Sequence, residues 1–206
     1  MTSSIRRNSR ALWAGTRILI VLTLILGIGY PLLITGIGQA LLPDRANGGL
    51  LRDHEGNVVG SSLIGQSFTD SQGAPLKQYF QSRPSAAGDG YDASASAGSN
   101  LGPENPELVA SITERRAAVA SLNGVAEDSV PADAVTASAS GLDPDISPEY
   151  AQIQVKRVAE ARGIDASTVR GLVKEYTEGP DMGYIGDPVV NVVELNLALD
   201  SLEERR

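Results

Sequence analysis

The sequence predicts an α/β (α+β) extracytoplasmic domain carried on a single N-terminal transmembrane helix, and three observations carry that prediction. Residues 18–42 form an unbroken run of 25 residues without Asp, Glu, Lys, Arg or His. The arginines before it have no acidic counterpart. The rest of the chain sets short strand-like segments among three capped amphipathic helices.

At about 1.5 Å per residue, a helix over 18–42 exceeds the roughly 30 Å hydrocarbon core and can span it with some tilt. Arg6, Arg7, Arg10 and Arg17 precede the run, and the first 42 residues contain no acid. The positive-inside bias therefore holds residues 1–17 in the cytoplasm and places residues 43–206 outside. A cleaved signal peptide is the competing reading, because Gly36, Gly38 and Ala40 supply small residues near the end of the run. The run outlasts the roughly 7–15 residues of a signal core, and Leu41 and Leu42 continue it, so retention is expected. Pro31 lacks an N–H and crowds the carbonyl four residues back, which should distort the helix near Gly27 and Gly29. Gly27, Gly29, Gly36 and Gly38, with Pro31, are candidate contacts for a partner helix in the bilayer. The alternative is that glycine is simply common in such helices.

The chain carries 17 basic and 25 acidic residues; setting aside the four leading arginines leaves 13 against 25 from Pro43 onward. That balance argues against nucleic acid and anionic lipid as partners of the domain, leaving lipid contact to the span. The absence of cysteine excludes disulfides, a thiol nucleophile and Cys-based zinc. A domain of about 160 residues buries an adequate core without such staples.

Leu50 and Leu51 lead into Arg52-Asp53-His54-Glu55-Gly56-Asn57-Val58-Val59, a polar turn between apolar flanks that predicts a β-hairpin. The single histidine, His54, falls in that turn and is expected to be solvated. Residues 61–68 read as a strand and its exit. Residues 82–106 are dominated by Gly, Ala, Ser, Asp, Asn and Pro and form no regular element. A disordered surface linker is one reading of this segment; an ordered loop is the other, for which Tyr79, Phe80, Arg83, Pro84, Tyr91 and Ser99-Asn100-Leu101-Gly102-Pro103 offer anchors. Asn105-Pro106-Glu107 opens a helix whose face holds Leu108, Ile112, Val119 and Leu122 and which Asn123-Gly124 ends. A second helix starts at Ser147-Pro148-Glu149, carries Ala151, Val155, Val158 and Ala159, and stops at Gly163. A third follows Asp165, with Val169, Leu172, Val173 and Tyr176 on one face. Residues 189–199 suit both periods, and a strand passing into a short helix near Leu195 is expected, with Asn191 and Asn196 as buried, hydrogen-bonded groups.

No phosphate-binding loop, Gly-x-Ser-x-Gly elbow, His-Glu-x-x-His helix or Ser-x-x-Lys is present. Asp143, Asp145 and Glu149 could form a carboxylate dyad, but Leu142-Asp143-Pro144-Asp145-Ile146-Ser147-Pro148 reads first as a rigid turn feeding a helix cap. The expectation is an accessory or binding domain with no catalytic residues, no metal ligands and no directly bound cofactor.

Several blocks in order carry a resemblance to a known family. They are Tyr30-Pro31-Leu32, Ile64-Gly65-Gln66-Ser67-Phe68, Tyr79-Phe80-Gln81-Ser82-Arg83-Pro84-Ser85 and Ser96-Ala97-Gly98-Ser99-Asn100-Leu101-Gly102-Pro103. Further on come the block from Ser138 to Pro148, the helix Gln154-Val155-Lys156-Arg157-Val158-Ala159-Glu160-Ala161-Arg162-Gly163, and Gly186-Asp187-Pro188 leading to Asn191 and Leu195-Asn196-Leu197-Ala198-Leu199-Asp200. The chain resembles KdpC, the small C subunit of bacterial Kdp potassium-importing P-type ATPases, along nearly its whole length. It departs at Ala97, where glycine is usual, at Asp187 in place of Glu, and at Val190, where Arg is expected.

The resemblance implies a membrane complex with two partners, a channel-like potassium-translocating subunit and a P-type ATP-hydrolysing subunit. It implies a subunit needed for assembly, with Ser96, Gly98, Ser99, Asn100 and Gly102 as a structured functional loop. The family is also described as a catalytic chaperone that raises ATP affinity in a ternary complex, which is the only route by which ATP enters. A domain held outside cannot touch cytoplasmic ATP, so such an effect must pass through the membrane parts as a coupling free energy. A membrane-anchored extracytoplasmic binding module and a secreted enzyme are the rival readings.

Overall fold

The computed structural model describes residues 2–204, with side chains from 9 to 202. The chain divides into two units, Met1–Gly49 and Leu50–Arg206. In the first, α1 (Thr2–Leu24) runs through a widened π turn at Ile25–Gly29 into α2 (Tyr30–Leu41), and a short α3 (Pro43–Ala46) follows. Among the described residues, one helical stretch, Ser9–Leu41, is long and apolar enough to cross a membrane. Its large apolar side chains, such as Leu19, Leu26 and Leu32, are exposed. The side chains of Arg6 and Arg7 lie outside the described residues.

The π turn sits where the sequence predicts distortion. A regular turn would drive the Pro31 ring against the carbonyl four residues back, which is that of Gly27. Instead the N–H of Tyr30 reaches the carbonyl of Ile25, five residues back, and the turn opens by one residue. Beyond α2, Asn47 closes the turn around Pro43, donating to the Pro43 carbonyl at 2.7 Å and exchanging amide bonds with Gln39 at 3.2 Å.

In the second unit β1 (Leu50–Arg52) and β2 (Val58–Ser61) form the predicted antiparallel hairpin. Its turn is closed by Asp53, which accepts the backbone N–H of Asn57 at 2.8 Å. The strand ends earlier than expected: from Ser62 to Phe68 the chain is turn and irregular structure with one bridge, Ser61 to Ile64. Helix α4 (Pro106–Asn123) is capped by Asn105, whose side chain accepts from Glu107 N–H, and is ended by Gly124 at φ 64°. Ser147 caps α5 (Pro148–Arg162), which Gly163 ends at φ 63°, and Asp165 caps α6 (Ala166–Glu175). β3 (Asp145–Ile146) and β4 (Thr177–Glu178) flank β5 (Val189–Asn191) in an antiparallel three-stranded sheet, after which α7 (Val192–Glu204) begins.

That last helix starts three residues before the predicted position at Leu195. Asn191 accepts the N–H of Glu194 at 3.1 Å, so Asn191 and Glu194 are the cap and third residue of a helix start. A single core joins these elements: Ile146, Val155, Val158, Val169, Val190, Val192, Leu195 and Leu199 are each at most 2% exposed. Val190, where the resemblance leads one to expect Arg, is wholly buried and pairs with both Ile146 and Thr177.

Candidate functional site

Residues 77–81 have no strand partner, yet Phe80 among them is wholly buried. Buried peptide groups must be paired, and here side chains from two helices do it. From α7, Asn196 accepts the N–H of Phe80 at 2.8 Å and donates to its carbonyl at 3.0 Å. From α5, Gln154 does the same for Gln81, at 2.7 and 3.1 Å. Each side-chain amide thus stands in for a neighbouring strand. Arg157 donates to the carbonyls of Lys77 and Tyr79 at 2.5 and 2.9 Å, to Asn123 at 2.9 Å and to Gln154 at 2.7 Å. Arg162 donates to the carbonyl of Gln78 at 2.6 Å, pairs with Asp200 at 2.7 Å and stacks on Tyr79 with its guanidinium 4.8 Å from the ring centre.

The next residues are bound to a second seam. Arg83 forms an ion pair with Asp143 at 2.8 Å, and the Pro84 carbonyl accepts the Ser138 N–H at 2.9 Å. Ser85 donates to the carbonyl of Gly141 at 2.6 Å while accepting the N–H groups of Ala87 and Tyr91. Ser96 and Ala97 both donate to the carbonyl of Ser140, at 2.9 and 3.0 Å. Two glycines are required by this closeness. A Cβ on Gly98 would lie 2.7 Å from the Ala139 carbonyl oxygen, and one on Gly141, at φ 71°, would lie 2.7 Å from Ala97 O and 2.8 Å from Ala87 N. The glycine-rich segment is therefore ordered, as its anchors predict.

A cavity of about 560 Å³ opens beside this seam, lined among others by Phe68, Gln81, Arg83, Tyr91, Arg115 and Tyr150. Burial pushes the Tyr91 hydroxyl up to about 12 and that of Tyr150 up as well. Desolvation lowers Arg157 to about 10, so it stays charged at neutral pH with four neutral oxygen acceptors. Outside the cavity, Asp145 is raised to about 6, first by burial and then by Asp143, Glu178 and Glu194. Asp143 is committed to Arg83 and to the N–H of Asp145. No group of three metal-ligating side chains exists among the described residues. The arrangement holds a shape.

The predicted loop divides in two. Ser96 and Gly98 sit in the seam, while Ser99, Asn100 and Gly102 are exposed, Asn100 at φ 51°. The predicted bilayer residues also separate. Gly29 and Gly36 are about two turns apart and share one face, whereas Gly27 and Gly38, about three turns apart, share the opposite one. A Cβ on Gly36 meets nothing within 4 Å, so packing within the chain does not require glycine there. Sequence reasoning missed Gln154 and Arg157. Gln154 lies three residues after Ala151 and four before Val158, and Arg157 follows three residues after Gln154, all on buried positions of α5, and that spacing was the available signal.

Tyr79, Phe80 and Gln81, clamped by Gln154, Arg157 and Asn196, and the seam of Arg83, Ser85, Ser96, Gly98 and Gly141 bring separate sequence blocks to one place. A family model for the K+-transporting ATPase c chain, KdpC, matches residues 12–201. The chain belongs to the KdpC family. It is 54% identical over 183 residues to the potassium-transporting ATPase KdpC subunit of Beijerinckia indica subsp. indica, covering 89% of both chains. The KdpC subunit of Caulobacter vibrioides is 53% identical over 180 residues, 87% of each chain. That of Mycobacterium bovis is 49% identical over 194 residues, 94% of this chain and 99% of the relative. KdpC relatives at this identity cover the span and the braced domain together.

Proposed function

We propose that this chain is the non-catalytic C subunit of a potassium-transporting P-type ATPase, acting as an extracytoplasmic cap and assembly subunit. Its domains are a cytoplasmic basic stretch at 1–17, a membrane span at 18–42 and an extracytoplasmic domain at 43–206. The carrying observation is charge asymmetry: four arginines and no acid precede the uncharged run 18–42, and an acidic domain follows it. Positive-inside orientation then separates the domain from cytoplasmic nucleotide. Any rise in ATP affinity of the ATP-hydrolysing partner runs through the span and that partner's membrane helices as a coupling free energy.

The braced interior supports a scaffold role. Side chains from α5 and α7 fix residues 77–81, and a stiff domain loses little entropy when it docks. Gly27, Gly29, Pro31, Gly36 and Gly38 would let helices of the channel-like subunit approach the span closely. The exposed Ser99, Asn100 and Gly102 form the loop offered to a partner. The test is co-purification of the full chain with the channel-like and ATP-hydrolysing subunits. Stoichiometric recovery is expected; a chain that runs alone in mild detergent contradicts the subunit role and favours a free-standing binding module.

A further inference from the structure

The turn between β4 and β5 is built against its own backbone preference. Asp181 and Ile185 exchange both backbone hydrogen bonds at 2.9 Å, and the N–H of Tyr184 reaches the Asp181 carbonyl at 3.2 Å. The two central residues, Met182 and Gly183, have φ of 53° and 82°. Two successive left-handed residues make a type I′ turn, whose first central position favours Asn, Asp or Gly. Here that position holds methionine. Two other turns of the domain place Gly56 and Gly73 at their left-handed positions, and Tyr91, the other bulky residue with positive φ at 58°, is held there by hydrogen bonds from its N–H to Ser85 and from its hydroxyl to the Arg83 carbonyl.

The residue placed there is also the most exposed large apolar side chain of the second unit among the described residues. Met182 is 84% exposed and Tyr184 77%, with Ile185 at 51% beside them. An apolar tip on a rigid turn marks an interaction site, since Met adapts to an irregular recess and Tyr anchors with little entropy loss. Charge decides the occupant. No Lys, Arg or His occurs from residue 175 to 204, and Glu178, Asp181 and Asp187 flank the tip. Insertion into an anionic membrane surface calls for basic residues. The complement is a protein recess, apolar at its floor and basic at its rim.

We propose that residues 181–185 are a docking knob that seats Met182 and Tyr184 in a basic-rimmed apolar recess on the extracytoplasmic surface of a partner subunit. This rests on the subunit reading above. The test uses the full chain, co-expressed with the two larger subunits and recovered on a tag carried by the ATP-hydrolysing one. Met182→Asn suits the turn, so its melting temperature should equal or exceed wild type, while Met182→Asn with Tyr184→Ser should be retained about tenfold less. A photoreactive phenylalanine analogue at Tyr184 should crosslink to the channel-like or ATP-hydrolysing subunit. Wild-type retention with equal retention of the double variant overturns the knob but leaves the subunit reading intact. Crosslinks only to lipid or to a second copy of this chain overturn it too, as does a lower melting temperature for Met182→Asn. Failure of the wild-type chain to be retained removes both.

Discussion

Replacing Arg157 with methionine should destabilise the domain by about 3 kcal/mol. The guanidinium serves four acceptors, two of which keep other donors after its loss: Gln154 Oε1 still takes the Gln81 N–H, and the Tyr79 carbonyl still takes Gln81 Nε2 at 3.3 Å. The Lys77 carbonyl and Asn123 Oδ1 are left without the donor that serves them. Leaving the buried Asn123 Oδ1 unpaired costs about 1–3 kcal/mol, and the Lys77 carbonyl, on an exposed residue, loses a hydrogen bond to a charged group worth about 1.5–3 kcal/mol. The released desolvation of a cation held near 10 offsets part of that sum, which is why the expected loss sits near the lower half of the range. For a domain of this size about 3 kcal/mol lowers the melting temperature by roughly 6–12 °C. Differential scanning calorimetry of the full chain in detergent reads it directly. Lys156→Met, whose ammonium lies 3.9 Å from Glu160 on an exposed face, is the control and should move the transition by less than about 2 °C. A melting temperature for Arg157→Met within that margin of wild type would refute the claim that the guanidinium braces residues 77–81.

Gly141→Ala should cost about 2–4 kcal/mol, since it adds left-handed strain at φ 71° to three contacts under 3 Å, whereas Gly102→Ala, with nothing within 4 Å, should cost under about 0.5 kcal/mol by the same melt. Asp145→Asn should stabilise the domain by about 1 kcal/mol at pH 7 and by nothing at pH 4, read as paired melts. The sign follows from a folded value of about 6 above the ordinary 3.8: the proton's stabilising effect is complete below pH 4 and is lost as pH rises through 6. Gly36→Leu should reduce recovery of the intact complex more than Leu33→Ala does, because bulk at a close helix approach costs more than a lost lipid-facing side chain; equal recoveries would contradict a contact at Gly36.

Local rules made much of this fold legible. Asn105, Ser147 and Asp165 announce three helix starts, Gly124 and Gly163 two stops, and Pro31 the widened turn, because each acts through neighbours within four residues. The clamp was harder to read. Gln154 and Asn196 bind peptide groups 73 and 116 residues away, and sequence spacing carries no information about such distances. Asn196 was legible as a buried, hydrogen-bonded group from its apolar neighbours, but not its partner. Asn191 and Glu194 show how two signals compete: alternating Val189, Val193 and Leu195 favoured a longer strand, and the cap chemistry won. The seam between Ser96 and Ser140 left only one trace in sequence, glycines where a Cβ would collide with backbone.

The side of the membrane on which the domain lies decides between a cap and a subunit that handles nucleotide itself. The absence of cysteine makes it directly measurable. Ser9→Cys and Ser96→Cys each place one thiol at an exposed position, before and after the uncharged run 18–42 in sequence. A membrane-impermeant maleimide, shown to pass any outer barrier, should label Ser96→Cys in intact cells and Ser9→Cys only after permeabilisation. The reverse pattern, with Ser9→Cys labelled in intact cells and Ser96→Cys protected until permeabilisation, would put the domain in the cytoplasm within reach of ATP and contradict the extracytoplasmic cap.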